Sequence, residues 1–191
     1  MSQTDITVIL TVYNQRPESI ETSMRSVAAQ TGCTYQLLVA DDHSSESFED
    51  EATALASELG ISNFTYVRHP ENVQTVRNIL HALPYAEGQF IKALGAGDAL
   101  YDESTLAAIV AFCRDNDVHA GFGDIVIDLP GRSVIPPKAA AAIETFFSCS
   151  SQRPTGFLAA ASFSRNDAWR SCSLFSPKPM KYATARISRK P

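Results

Sequence analysis

No two cysteines in this sequence stand at C-x-x-C spacing; Cys33, Cys113, Cys149 and Cys172 are scattered. Zinc and dithiol redox motifs are thereby disfavoured, and the four read as small buried or idle thiols of a reducing compartment. Long apolar runs are also missing, so no segment reads as a membrane-spanning helix. A basic excess is missing too: 16 Lys and Arg against 21 Asp and Glu leave a net charge of −5, which argues against a nucleic-acid partner. The opening "MSQTDITVILTVYNQ" carries Asp5 where a signal peptide would be basic, and its apolar stretch runs straight into a polar turn. A cytoplasmic protein is the expectation. Finally, no carboxylate follows Asp167, while Arg170, Lys178, Lys181, Arg186, Arg189 and Lys190 do. A solvated tail is the plainest account of that basic end. Peripheral association with the inner face of a membrane is the alternative, weakened by the absence of an amphipathic period.

What is present alternates. "ITVILTVY" (6–13), "YQLLVA" (35–40), "FTYVR" (64–68), "FIKAL" (90–94) and "AGFGDIVIDL" (120–129) read as strands. Between them lie helical patterns. Pro17 suits a first turn, with Ile20, Met24, Val27 and Ala28 on one face. Phe48, Ala52, Leu55, Ala56 and Leu59 form a second stripe, with Ser47 and Asp50 resembling a capping box and Gly60 at the stop. Val73, Val76, Leu80 and Leu83 mark a third helix; Leu106, Ile109, Val110 and Cys113 mark a fourth. Such a βα alternation predicts an α/β fold with a mainly parallel sheet and helices on both faces. Ligands then belong beyond the carboxyl ends of the strands. After residue 130 the pattern weakens to a proline-rich turn, a short helix, one candidate strand in "TGFLAAASFSR" and an unpatterned end. The length fits one domain over 1–191, with the readable part in 1–130 and an incomplete part and tail in 131–191.

"KALGAGDAL" (92–100) admits two readings. As a dinucleotide turn it fails: the third glycine position is Leu100, the motif follows the fourth strand rather than the first, and Asp98 would repel a pyrophosphate. As a strand-end carboxylate, Asp98 could share a hard divalent cation with substrate phosphates. Its plainer role is a helix cap, for which Asp102 is better placed. Asp41 and Asp42 are explained equally by a polar turn or by a carboxylate accepting a ring N–H, such as that of uracil N3. Tyr13 could pack on a base, and Arg77 could touch base, ribose or phosphate or simply be a solvated helical arginine.

Taken together, these segments resemble glycosyltransferase family 2. "ITVILTVYNQ" is similar to that family's opening strand and V-Y-N turn, and "SIETSMRSVAAQT" to the helix after it. "QLLVADDHSSE" resembles the D-D-G-S block, "VRHPENVQTVRNILHAL" the N-x-G-x-x-x-A-R-N segment, and "AEGQFIKALGAGDALYDESTL" the G-E-Y-I block with its D-x-D region. The resemblance covers about residues 5–129 in order. It implies the GT-A fold, a nucleotide-sugar donor (most often a UDP-sugar), Mg²⁺ or Mn²⁺, and inverting transfer to an acceptor hydroxyl. By matching position it implies that Thr11, Val12 and Tyr13 line the base pocket, that Asp42 holds the base, that Arg77 lies near the nucleotide, and that Asp98 ligates the metal.

Departures from the family are specific. Gly95-Ala96-Gly97-Asp98 stands where the family commonly has D-A-D-D, and His43 and Val73-Gln74 replace glycine-bearing positions. An inverting transferase needs a base for the acceptor proton. In the family this is an acidic residue of an "E-D"-like motif after the segment that "GFLAAASFSRNDAWR" resembles, and no Asp or Glu follows there. The expectation is therefore a transferase of a cell-surface polysaccharide pathway whose base is not found. The alternative is a non-catalytic nucleotide-sugar binder shortened or frame-shifted near residue 170.

Overall fold

The computed structural model describes residues 3–117 in full and, beyond them, the backbone of five short strands. Four parallel strands make the centre: β1 (Ile6–Val12), β2 (Tyr35–Asp41), β3 (Phe64–Arg68) and β4 (Phe90–Gly95), in the spatial order β3-β2-β1-β4. Their near-continuous apolar sequence has its cause in burial on both faces. Ile6, Val8, Leu10 and Val12 of β1 face one side, with Ile20, Met24 and Val27 of α1 (Pro17–Ala28), Ala52 and Ala56 of α2 (Glu49–Glu58) and Leu106, Ile109, Val110 and Cys113 of α4 (Thr105–Asn116). Ile9 faces the other, with Leu38, Ala40, Ile91 and Ala93, under Ile79 and Ala82 of α3 (Gln74–Ala82). Helices therefore cover both faces, as the alternation predicts. None of the helices among the described residues is long and apolar enough to cross a membrane.

Beyond α4 the sheet continues differently. β8 (Phe146–Cys149) pairs antiparallel with β4 and with β5 (Ala120–Phe122), and β9 (Tyr182–Thr184) lies parallel to β5. β6 (Ile127–Leu129) and β7 (Arg132–Val134) form a separate hairpin.

Several expectations are corrected. The single strand expected over 120–129 is two, β5 and β6, in different sheets. The stretch 130–147, expected to hold a proline-rich turn and a short helix, ends in β8, its residues 135–145 lying outside the described residues, and β9 stands in the end that showed no pattern. The third helix buries Asn78, Ile79 and Ala82, and Leu80 of the expected stripe faces solvent. The capping box does not form: α2 has no side-chain cap, and Ser47 Oγ accepts the Glu49 N–H at 3.3 Å instead. Ser104, not Asp102, is the cap position of α4; Asp102 Oδ1 organises the turn before it by accepting from the Ser104 N–H (3.0 Å) and the Thr105 hydroxyl (3.0 Å). The expected strand in "TGFLAAASFSR" lies outside the described residues.

A buried polar ladder fixes the amino ends of the strands. Thr7 Oγ1 donates to Gln36 Oε1 (2.7 Å), and Gln36 Nε2 donates to Thr65 Oγ1 (3.2 Å) and Tyr85 O (3.0 Å). The Gly88 N–H closes it on Thr7 Oγ1 (2.9 Å). Gly88 lies so close to β1 that an added Cβ would sit 2.3 Å from the Thr7 nitrogen.

Candidate functional site at the strand ends

The carboxyl ends of β1, β2 and β4 lie side by side at one end of the sheet, in register from Thr11 to Ala40 and Gly95. At the end of β1, Thr11 is half-buried and Val12 buried, while Tyr13 is 47% exposed, free to offer a ring face. Asn14 follows in the left-handed region (φ 49°), which turns the chain sharply after the strand.

β2 ends in two carboxylates with different surroundings. Asp41 is fully buried. Its Oδ1 accepts from the Ser44 hydroxyl (2.6 Å) and Ser44 N–H (2.9 Å); its Oδ2 accepts from Tyr66 OH (2.9 Å) and faces Arg68 Nε at 3.3 Å. Burial first, then the bond to Asp41, push the Tyr66 hydroxyl up to about 12, so it remains a donor. Asp42 is also buried; it continues β1–β2 pairing through its N–H to Val12 O (2.9 Å), and its Oδ1 accepts the Val73 N–H at 2.8 Å. One such bond leaves a carboxylate with acceptor capacity. That same bond holds the start of α3 at the site. Arg77, one turn along from Val73, is exposed, and Asn78 beside it donates Nδ2 to Ala40 O (2.8 Å).

At the end of β4, residues 95–98 form a tight turn closed by the Asp98 N–H on Gly95 O (3.0 Å). Gly97, at φ 101°, donates its N–H to Ser23 Oγ (2.9 Å), and the Ser23 hydroxyl donates to Asp98 O (2.7 Å). Helix α4 begins only at Thr105, so these glycines do not open a helix, and the dinucleotide reading is excluded on geometry. Ser23 was not singled out from sequence; a serine on the inward side of α1, one turn before Val27, was the signal. A shallow open cleft beside the turn is lined by Arg16, Glu18, Ser19, Thr22 and Gly97.

The Asp98 carboxylate is exposed and leans over Gly95, whose missing Cβ would sit 3.0 Å from Asp98 Oδ2. Among the described residues no three His, Cys, Asp or Glu side chains cluster as a self-contained metal site. One reachable carboxylate fits the other arrangement, in which a Mg²⁺-type ion takes one or two carboxylates and completes its shell with phosphates and water. Lys92 lies beneath, buried within β4, with Nζ donating to Ala93 O at 2.7 Å. Burial draws its pKa down to about 8, against the opposing pull of the Asp98 charge.

The profile of the family described as "Glycosyl transferase family 2" matches residues 7–167. No curated protein matches the chain. Among solved structures, TarS 1–349 of S. aureus in complex with UDP superposes with a TM-score of 0.58 at 20% identity, over 70% of this chain and 38% of that one. The same protein with UDP-GlcNAc gives 0.58 at 20%, over 70% and 37%. The mannosyltransferase PcManGT from Pyrobaculum calidifontis, in complex with GDP-Man and Mn2+, gives 0.57 at 22%, over 68% and 37%. The chain thus spans less than two-fifths of the length of these structures.

Proposed function

The chain belongs to glycosyltransferase family 2 and has the GT-A fold, and on that premise we propose that it binds a nucleotide-sugar donor, a UDP-sugar, and transfers the sugar to an acceptor hydroxyl in the making of a cell-surface polysaccharide. The observation that carries this reading is the gathering of Tyr13, Asp42 and Asp98 at the carboxyl ends of three adjacent parallel strands. Similarity to structures whose names carry UDP, UDP-GlcNAc and GDP-Man supports the same class of donor.

In this reading Thr11, Val12 and Tyr13 line the base pocket, with the exposed Tyr13 ring available for stacking. The remaining acceptor capacity of Asp42 takes the uracil N3–H, which cytosine lacks. Arg77 approaches the nucleotide from α3. Asp98 holds Mg²⁺ or Mn²⁺ together with the diphosphate. When bound, that ion neutralises charge on the departing nucleoside diphosphate. Donor binding is assigned to 1–130 and the acceptor side to 131–191. No residue is assigned as base. A second reading is a donor binder without transfer activity.

Calorimetric titration with UDP tests both. Binding is expected, tightened by Mn²⁺, and Asp98→Ala should remove roughly tenfold of that tightening. Lack of UDP binding at millimolar ligand would sink both readings. Binding without sugar transfer or donor hydrolysis would select the second.

A further inference from the structure

Asp41 takes no part in the donor contacts proposed above, yet both of its oxygens are bonded within the site. We propose that Asp41 is the positioning residue of the base pocket: through Ser44 and Asn14 it sets the geometry of Tyr13 and Asp42 without touching the donor. The proposal rests on the donor reading of this site.

Both oxygens of Asp41 are engaged, by Ser44, Tyr66 and Arg68, and the side chain has no exposed surface. Asp42 is buried too, at 4% exposure, but the Val73 N–H engages only its Oδ1, so of the two adjacent carboxylates it is the one with acceptor capacity left. An ionised carboxylate only accepts, so it dictates the direction of every bond around it. The single Ser44 hydroxyl proton goes to Asp41, which leaves Ser44 Oγ as an acceptor. It takes the Asn14 N–H at 2.9 Å. Asn14 returns the link: its Oδ1 accepts from the Ser45 N–H (2.8 Å) and the Ser45 hydroxyl (2.9 Å). The loop after β1 and the loop after β2 are thus tied twice, and Tyr13 precedes one tie while Asp42 precedes the other. Arg68 adds a clamp, with its guanidinium on both Asp41 Oδ2 and the Ser44 carbonyl. Asn14 (φ 49°) and His43 (φ 63°), both in the left-handed region, lie at and beside these ties.

Asp41→Asn keeps the shape and reverses part of the polarity, since its amide would donate toward Ser44 or Tyr66. Ser44→Ala removes only the relay, and Tyr66→Phe only one donor. The test has two readouts. In the unliganded protein, amide hydrogen exchange at Asn14 and Ser45 should rise by about tenfold or more in Asp41→Asn and Ser44→Ala. In titrations, the wild type should prefer UDP over CDP, and both variants should lose roughly tenfold in UDP affinity while that preference collapses toward unity. Tyr66→Phe should fall between. A purely structural role would lower both affinities together and leave their ratio intact. Unchanged exchange, or an unchanged UDP-to-CDP ratio in Ser44→Ala and Tyr66→Phe, would overturn the proposal while the donor reading stands. A wild type that binds neither nucleotide would overturn the donor reading and this inference with it.

Discussion

Lys92 is a cation in a strand whose other side chains are apolar, and its titration makes a prediction about stability. Burial lowers its pKa to about 8 from the ordinary lysine value of 10.5, with the Asp98 charge opposing. Between those two values the unfolded chain holds a proton on this side chain that the folded chain has released. Stability therefore rises with pH across that window, and below it the full cost of the buried charge is present, on the order of 3 kcal/mol. Lys92→Met should accordingly be more stable than the wild type near neutrality, with the advantage shrinking toward the upper end of the window. Urea denaturation of both proteins at about pH 7 and about pH 9.5 reads the difference, and an advantage that did not shrink would contradict the burial cause. At this scale the sequence was only partly legible. Asp42 and Asp98 stood out because each follows an apolar run; the structure exposes the Asp98 carboxylate, whereas it buries Asp42 with one oxygen on the Val73 N–H. The contrast between Asp41 and Asp42 was invisible, because it depends on Tyr66 and Arg68 arriving from β3.

Elements were easier to read where burial is two-sided. β1 to β4 carry continuous apolar sequence, and α1, α2 and α4 carry one stripe each, so their existence followed from pattern alone. α3 was misread in orientation because its apolar residues occupy neighbouring sides. Val76 with Leu80 and Ile79 with Ala82 both fit helical spacing, and the choice is made by Asn78, whose amide bonds the end of β2. The run 120–129 hid a break between β5 and β6; Gly123-Asp124 inside it was the available turn signal. Gly88 was legible only as part of a family block, and its physical reason is the close approach of the bend before β4 to β1. An added Cβ there would meet Thr7 N at 2.3 Å and Ile6 C at 2.5 Å, backbone atoms that cannot rotate away. Gly88→Ala must therefore push β4 off β1 or break the Thr7 bond, and should cost about 3 kcal/mol or more. Gly97→Ala, where the nearest contact is 3.7 Å and only the φ of 101° is at fault, should cost about 1–2 kcal/mol. Thermal melts of the two variants should rank them in that order, and the reverse order would mean that the β1–β4 contact yields easily.

For the whole molecule, the sheet has a seam. On one side β3, β2, β1 and β4 are joined in parallel; on the other, β8 and β5 run antiparallel to each other. The first side holds every proposed donor contact, and its helices bury it on both faces. It should fold without the second side, but not remain alone. β8 covers the edge of β4 through the pairs Phe90 with Cys149, Ile91 with Ser148 and Lys92 with Phe147. Removing residues 118–191 would bare the N–H and C=O groups of β4, a template for another chain. A lysine on an edge strand usually guards against such pairing, but Lys92 is turned into the core, where its Nζ is bonded to Ala93 O. The truncated variant 1–117 should thus keep a helical circular-dichroism spectrum and associate as its concentration rises, more strongly than the full chain. Analytical ultracentrifugation of both decides it: an increase in sedimentation coefficient confined to the shortened chain is expected. A shortened chain that stayed monomeric throughout would mean that β8 is not what protects this edge. A shortened chain that lost its helical signal would mean that the antiparallel side is needed for the parallel side to fold at all.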